Sequence, residues 1–235
     1  MTAVRSTDFV IAPPPVTTLP VAGTDRLFPV RRIYCVGRNF AAHAVEMGHD
    51  PSREAPFFFQ KNPENVRQQG RDFPYPPKSE DVHFEVEMVV AIGKGGTDIG
   101  VDTALDHVYG YAVGLDMTRR DLQAEAKDLR RPWTVSKAFE HSAPCGPIHP
   151  AAVIGHPSAG AIWVDVDGER RQTGDLNQMI WKVPEIVSYL SSGLFELAPG
   201  DLIFTGTPSG VGAVRRGNTM HAHVDGIGDL VVRVV

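Results

Sequence analysis

Forty-two of the 235 residues are glycine or proline, 23 and 19 respectively, and they are spread along the chain rather than gathered in a tail. Proline fixes φ and removes a backbone donor, and glycine weakens a helix interior, so such frequent punctuation favours short strands and loops over long helices. No internal repeat, heptad run or low-complexity segment accompanies it. Pro13, Pro14, Pro15, Pro20 and Pro29 mark residues 1–30 as an extended Pro-rich arm that can hardly form a helix or a central strand.

Beyond the arm, apolar runs between turn residues predict strands at 32–36, 57–59, 82–92, 108–115, 161–166, 201–205, 221–224 and 230–234. Helices are expected at 39–48, with Asn39 as cap and Gly48 as stop, at 118–129 behind Thr118, and at 183–191. Phe73-Pro74-Tyr75-Pro76-Pro77 reads as a rigid connection. The pattern is that of a β-rich α+β fold, not of an alternating βαβ chain.

Lys and Arg number 23 against 28 Asp and Glu, a net charge of −5, and the arginine pairs are scattered. Nonspecific contact with nucleic acid or an anionic membrane needs a basic surface, so neither partner is expected. Cys35 and Cys145 cannot build a disulfide framework and form no C-x-x-C pair. They are expected to be reduced, buried thiols of a soluble, cytoplasmic protein, and no stretch has a signal-peptide pattern or the ~20 apolar residues of a membrane span.

Three motif likenesses fail. Gly93-Lys94-Gly95-Gly96 lacks the order of a phosphate loop, and Gly206, Gly210 and Gly212 do not make a dinucleotide fingerprint. His83-Phe84-Glu85 with Pro144-Cys145 lacks the second cysteine of a zinc deaminase. Glu85 and Glu87 are different: two apart on the 82–92 strand, they share a face, and paired carboxylates repel unless a cation or proton lies between them. Those two residues alone fit a solvated acidic edge as well as a metal site. Asp116, at the end of an apolar strand, tilts the balance towards metal, and an all-carboxylate set selects Mg²⁺ or Mn²⁺ first and Ca²⁺ next. Arg120, Gln123 and Lys127 fall on one helical face, where Lys127 reads as a surface charge. His43 and Glu46, at i and i+3, could pair to activate water.

With these residues in hand, the chain resembles the fumarylacetoacetate hydrolase family, and within it the small bacterial members acting on fumarylpyruvate and other acylpyruvates. The resemblance spans nearly the whole chain through five ordered blocks. They are 35–43 (CVGRNFAAH), 83–87 (HFEVE), 114–123 (GLDMTRRDLQ), 133–139 (WTVSKAF) and 205–212 (TGTPSGVG). It implies stacked sheets around a divalent metal, a catalytic domain over 31–235, a homodimer and a small anionic keto-acid substrate. By motif match Glu85, Glu87 and Asp116 would bind the metal, and His43 and Glu46 would form the water-activating dyad. Lys137 and Gln123 would meet the developing oxyanion, while Arg120, Thr207 and Arg38 would hold substrate. Two positions depart from the pattern: Phe84 replaces a frequent second histidine, and Asn62 a frequent proline after Lys61.

The implied reaction is metal-dependent hydrolysis of a carbon–carbon bond in a β-diketo acid, fumarylpyruvate to fumarate and pyruvate in aromatic-acid breakdown. Other acylpyruvate hydrolysis, oxaloacetate decarboxylation and unsaturated keto-acid isomerisation are alternatives on the same scaffold. A noncatalytic metal-stabilised binding module is the remote one.

Overall fold

The computed structural model describes residues 9–40 and 54–235. Its first regular elements are β1 (Thr18–Pro20) and β2 (Leu27–Pro29), an antiparallel hairpin within the segment predicted as an extended arm. The chain then forms β3 (Arg32–Gly37), β4 (Phe57–Lys61), β5 (Val66–Gln68), β6 (Val82–Phe84) and β7 (Val86–Ile92). Next come β8 (Val108–Leu115), β9 (Thr118–Arg119), helix α1 (Arg120–Asp128), helix α2 (Thr134–Lys137), β10 (Ala143–Cys145) and β11 (His149–Pro150). After helix α3 (Ala151–Ile154), β12 (Ala161–Val166) and β13 (Glu169–Asp175) lead to helix α4 (Val183–Ser191). The chain closes with β14 (Asp201–Phe204), β15 (Gly212–Val214), β16 (Thr219–Val224) and β17 (Gly228–Arg233). The fold is β-rich α+β with short helices, as the punctuation implies.

The large sheet runs β4-β3-β14-β7-β8-β10-β5, with β11 added beside β8. Alternation along its strands divides two cores. Val86, Met88, Val90 and Ile92 of β7 face one side, where the four-stranded sheet β13-β12-β16-β17 supplies Ile162, Val164, Ala222, Val224, Leu230 and Val232. Val89 and Ala91 face the other, where the β1–β2 hairpin lays Leu19, Val21, Phe28 and Val30 over them. Glu87 belongs in sequence to this second face. Small residues sit opposite it on β8: a side chain at Gly114 would come within 2.5 Å of Val89 and 2.7 Å of Phe204.

Two predicted elements are corrected. The single strand over 82–92 is two strands: the chain leaves the three-stranded sheet β15-β6-β9 at Phe84 and enters the large sheet at Val86. Glu85 is the hinge between them. The helix expected from 118 begins at Arg120, because Thr118 and Arg119 pair with His83 and Val82 as β9. Thr118 Oγ1 donates to the Asp116 carbonyl instead of capping, and Asp121 accepts from Ser79 and from the backbone of Glu80 and Leu122. The helix over 39–48 lies, beyond Phe40, outside the described residues. Both cysteines are free and buried, and no helix among the described residues is long and apolar enough to cross a membrane.

Asn39, expected to cap that helix, ties two other segments to the end of β3. Its Nδ2 donates to the carbonyls of Thr205 (2.7 Å) and Trp181 (3.0 Å), and its Oδ1 accepts from Trp181 N (2.7 Å). The end of β3 is thus fixed to the chain just past β14. Asn39→Ala strands several buried backbone groups at once, and at about 1–3 kcal/mol for each unsatisfied group it should cost roughly 3 kcal/mol or more. Urea unfolding, read as a lower midpoint with an unchanged slope, measures this.

Candidate active site

β3, β8 and β14 run in one direction and β7 in the opposite one, so their ends meet at one edge of the large sheet. That edge gathers Arg38 after β3, Asp116 after β8, Gly206 and Thr207 after β14, and Glu85 and Glu87 at the start of β7. One oxygen from each of Glu85, Glu87 and Asp116 lies within 4.8 Å of the others, and all three residues are buried. The backbone helps: Asp116 N donates to the Glu85 carbonyl at 2.8 Å.

Three bases face these acids. Lys137 Nζ donates to Asp116 Oδ2 at 2.6 Å and to Glu85 Oε2 at 2.8 Å. Arg120 donates to Glu85 Oε1 at 2.5 Å and, through its other terminal nitrogen, to Gln123 Oε1 at 2.6 Å. Lys61 Nζ lies 2.7 Å from Asp116 Oδ1 and also donates to the carbonyls of Met117 and Lys137. The Lys61–Asp116 contact is an ion pair out of hydrogen-bond alignment, so Asp116 Oδ1 is buried without a hydrogen-bond donor. Glu87 Oε2 accepts from Gly206 N at 2.7 Å. That contact uses a left-handed glycine (φ +95°), at which a side chain would also collide with Asn39.

The electrostatics follow from burial. Burial pushes the Glu87 carboxyl well above its ordinary pKa, and the charges of Asp116 and Glu85 push the same way, against the Gly206 hydrogen bond and Lys137. Burial also works against the Lys137 ammonium, but Asp116 and Glu85 outweigh it and hold its pKa above the usual lysine value. Such a set of hard oxygen donors, mutually repelling and carrying one oxygen with no donor, fits a divalent cation. The nearby Cys35 thiol is not a rival ligand, since burial and the Asp116 charge push it well above the usual thiol range.

The walls of the pocket are aromatic. Phe59 packs against Trp133 at 5.7 Å between centroids and Trp133 against Phe57 at 5.5 Å, the latter edge to face. Gly37 makes room for Phe57, whose ring would lie 2.0 Å from any Cβ there. Arg38, in the left-handed region at φ 57°, sets its guanidinium 5.2 Å from the Phe57 centroid. Lys137 lies 5.0 Å from Phe59, and Lys127 lies 5.5 Å from Trp133.

Glu85, Glu87, Asp116, Arg120, Gln123, Lys137, Thr207 and Arg38 therefore line one pocket. His43 and Glu46 lie outside the described residues. Sequence reading missed three contributors. Lys61, a buried ammonium on Asp116, left as its signal a lysine closing the run Phe57-Phe58-Phe59-Gln60. Lys127 is a correction: it lines the pocket instead of facing solvent, as its helical register with Arg120 and Gln123 allowed. Gln172 left no signal, being one polar residue among several on β13. Its amide accepts from Val86 N (3.0 Å) and donates to Thr207 Oγ1 (2.9 Å), tying the Thr207 loop to the strand that bears Glu87.

The model of the fumarylacetoacetate (FAA) hydrolase C-terminal region matches residues 32–235. The chain is 43% identical over 185 residues to fumarylpyruvate hydrolase of a Ralstonia species, covering 79% of this chain and 95% of that one. It is 43% identical over 198 residues to the mitochondrial oxaloacetate decarboxylase of Dictyostelium discoideum, covering 84% and 90%. Among solved structures it matches fumarylpyruvate hydrolase from Pseudomonas aeruginosa in complex with Mn²⁺ and pyruvate. That match has a TM-score of 0.94 and 55% identity, over 97% of this chain and 99% of that one. Matched over almost its whole length, and with the family's motifs drawn into one pocket, this chain is an enzyme of the fumarylacetoacetate hydrolase family.

Proposed function

We propose that the protein hydrolyses the carbon–carbon bond of acylpyruvates, with fumarylpyruvate as its substrate and fumarate and pyruvate as products. The observation that carries this reading is a single pocket holding a buried three-carboxylate cluster beside Lys137, Arg120 and Gln123. Support comes from the 55% identity to a fumarylpyruvate hydrolase solved with Mn²⁺ and pyruvate, the keto-acid half of the reaction.

Glu85, Glu87 and Asp116 are assigned as ligands of one divalent cation, Mn²⁺ or Mg²⁺ ahead of Ca²⁺. Bound there, the cation supplies Lewis acidity and a template for the keto-acid end of the substrate. The protein does the rest. His43, oriented by Glu46, takes a proton as water adds to the acyl carbonyl. The oxygen that becomes negative is met by the Lys137 ammonium and by the Gln123 NH₂, since the oxygen of that amide is taken by Arg120. Arg120, Arg38 and Thr207 hold substrate oxygens, with Gln172 fixing the Thr207 hydroxyl. The bond between the hydrated carbon and its methylene neighbour then breaks. Its electron pair leaves with the pyruvate half, which takes up a proton. The working unit is assigned to 31–235 with 1–30 as its N-terminal arm, in a homodimer. The free, buried thiols suit the reducing cytoplasm.

Oxaloacetate decarboxylation is the second reading, favoured by the equal identity to the Dictyostelium protein. It uses the same carboxylates and bases but needs no hydrolytic water, so the dyad separates the two.

Calorimetric titration with Mn²⁺ should find one site. Glu87→Gln should weaken it by more than the roughly 10–100-fold expected for loss of an outer partner. The same change relieves repulsion among buried carboxylates, so the metal-free variant should melt above the metal-free wild type. At about 100 times Kd, Mn²⁺ should stabilise the wild type by about 2.7 kcal/mol and leave the variant unmoved.

Enol absorbance followed on fumarylpyruvate, maleylpyruvate, acetylpyruvate, fumarylacetoacetate and oxaloacetate should show fumarylpyruvate consumed fastest with Mg²⁺ and none consumed with chelator. Glu46→Gln should lower kcat by roughly 10²–10⁴ without changing Mn²⁺ affinity. A near-normal rate in that variant removes the dyad, and oxaloacetate as the fastest substrate moves the assignment to decarboxylation.

A further inference from the structure

Lys127 is one helical turn beyond Gln123 and two beyond Arg120, on the face of α1 that lines the pocket. The other buried bases of the site are engaged: Lys61 faces Asp116, Lys137 faces Asp116 and Glu85, and Arg120 faces Glu85. Lys127 has no carboxylate within ion-pair distance among the described residues; its contact is the Trp133 ring, 5.5 Å from Nζ. Burial pulls its pKa down, and so do the positive charges of Arg120, Arg38 and Lys137, with Glu85 opposing. Arg38 has an acid of its own nearby, since Glu54 favours its charge. Lys127 is therefore a half-buried ammonium among cations, and such a group gains most from an anion supplied by a ligand.

The aromatic wall gives that anion a direction. Phe59 carries Lys137 over its ring, Phe59 packs on Trp133, and Trp133 carries Lys127. Between the amine at the carboxylate cluster and the amine on Trp133, the lining is aromatic and apolar, suited to a conjugated acyl chain with charge at both ends. A chain ending in a methyl group would leave Lys127 without a partner. We propose that Lys127, with Arg38 beside it, forms the subsite for the distal carboxylate of the substrate and so selects dicarboxylic acylpyruvates over those ending in a methyl group. This rests on the acylpyruvate reading above and adds to it the residue that chooses the acyl end.

The test compares the wild type with Lys127→Met, which keeps the alkyl stem on Trp133 and removes the charge, and with Lys127→Arg, which restores it. With Mn²⁺ saturating, the KM of Lys127→Met for fumarylpyruvate should rise at least tenfold more than its KM for acetylpyruvate, with kcat for fumarylpyruvate within threefold of wild type. Lys127→Arg should recover most of the difference. Calorimetry gives a readout without turnover: Lys127→Met should weaken fumarate at least tenfold more than crotonate, the same chain with a methyl in place of one carboxylate. Equal changes for both members of either pair, or none, would overturn the subsite. If the wild type hydrolyses neither acylpyruvate, the hydrolase reading falls, and the fumarate–crotonate contrast still decides the subsite on its own.

Discussion

Three carboxylates buried at one point are the constraint around which the rest of the structure is arranged. In a medium of low dielectric their repulsion is costly, and each needs a compensating charge or hydrogen bond. Lys61, Lys137, Arg120 and the Gly206 amide provide these from β4, α2, α1 and the segment after β14. Elements far apart in sequence are thus pinned to one spot. Such a cluster contributes little to stability by itself; its worth lies in fixing where the strand ends must meet.

The position of Glu85 shows how the backbone meets this demand. A strand continued through 82–92 would keep Glu85 in one sheet with Glu87. Instead the chain changes sheets there, so Glu85 stands where the three-stranded sheet and the large sheet join, within reach of Arg120 on α1 and Lys137 on α2. Thr118 and Arg119 are drawn into the small sheet for the same reason: pairing with Val82 and His83 brings the start of α1 beside Glu85.

Much of this is legible in the sequence, and what is not has a physical cause. Near-continuous apolar runs located β3, β7, β8 and β14, which are buried on both faces. Period-two alternation located the one-face-buried β12, β16 and β17, and helical spacing the helix at 183–191. The break at Glu85 was hidden, since a switch between sheets keeps both halves extended and apolar. The acidic triad could be read because a charge ending an apolar strand, as at Asp116, is costly without a partner. Lys61 and Lys127 could not be separated from surface lysines: a long flexible side chain reaches a pocket or solvent from the same backbone position, and only the packed neighbours decide. Gln172 was invisible because its role depends on two backbone segments remote from it.

The parallel pairing of β3 with β14 has a consequence for how the protein is made. Arg32 stands opposite Asp201, so every residue between them must emerge before the inner edge of β3 finds its neighbour. Contacts of such long range close late and slow the search for the native state. A nascent chain that ends before β14 has Glu85, Glu87 and Asp116 but neither the Gly206 amide nor the Thr207 loop. The centre is therefore completed only once β14 and the loop behind it have emerged, well after the strands that carry the three carboxylates.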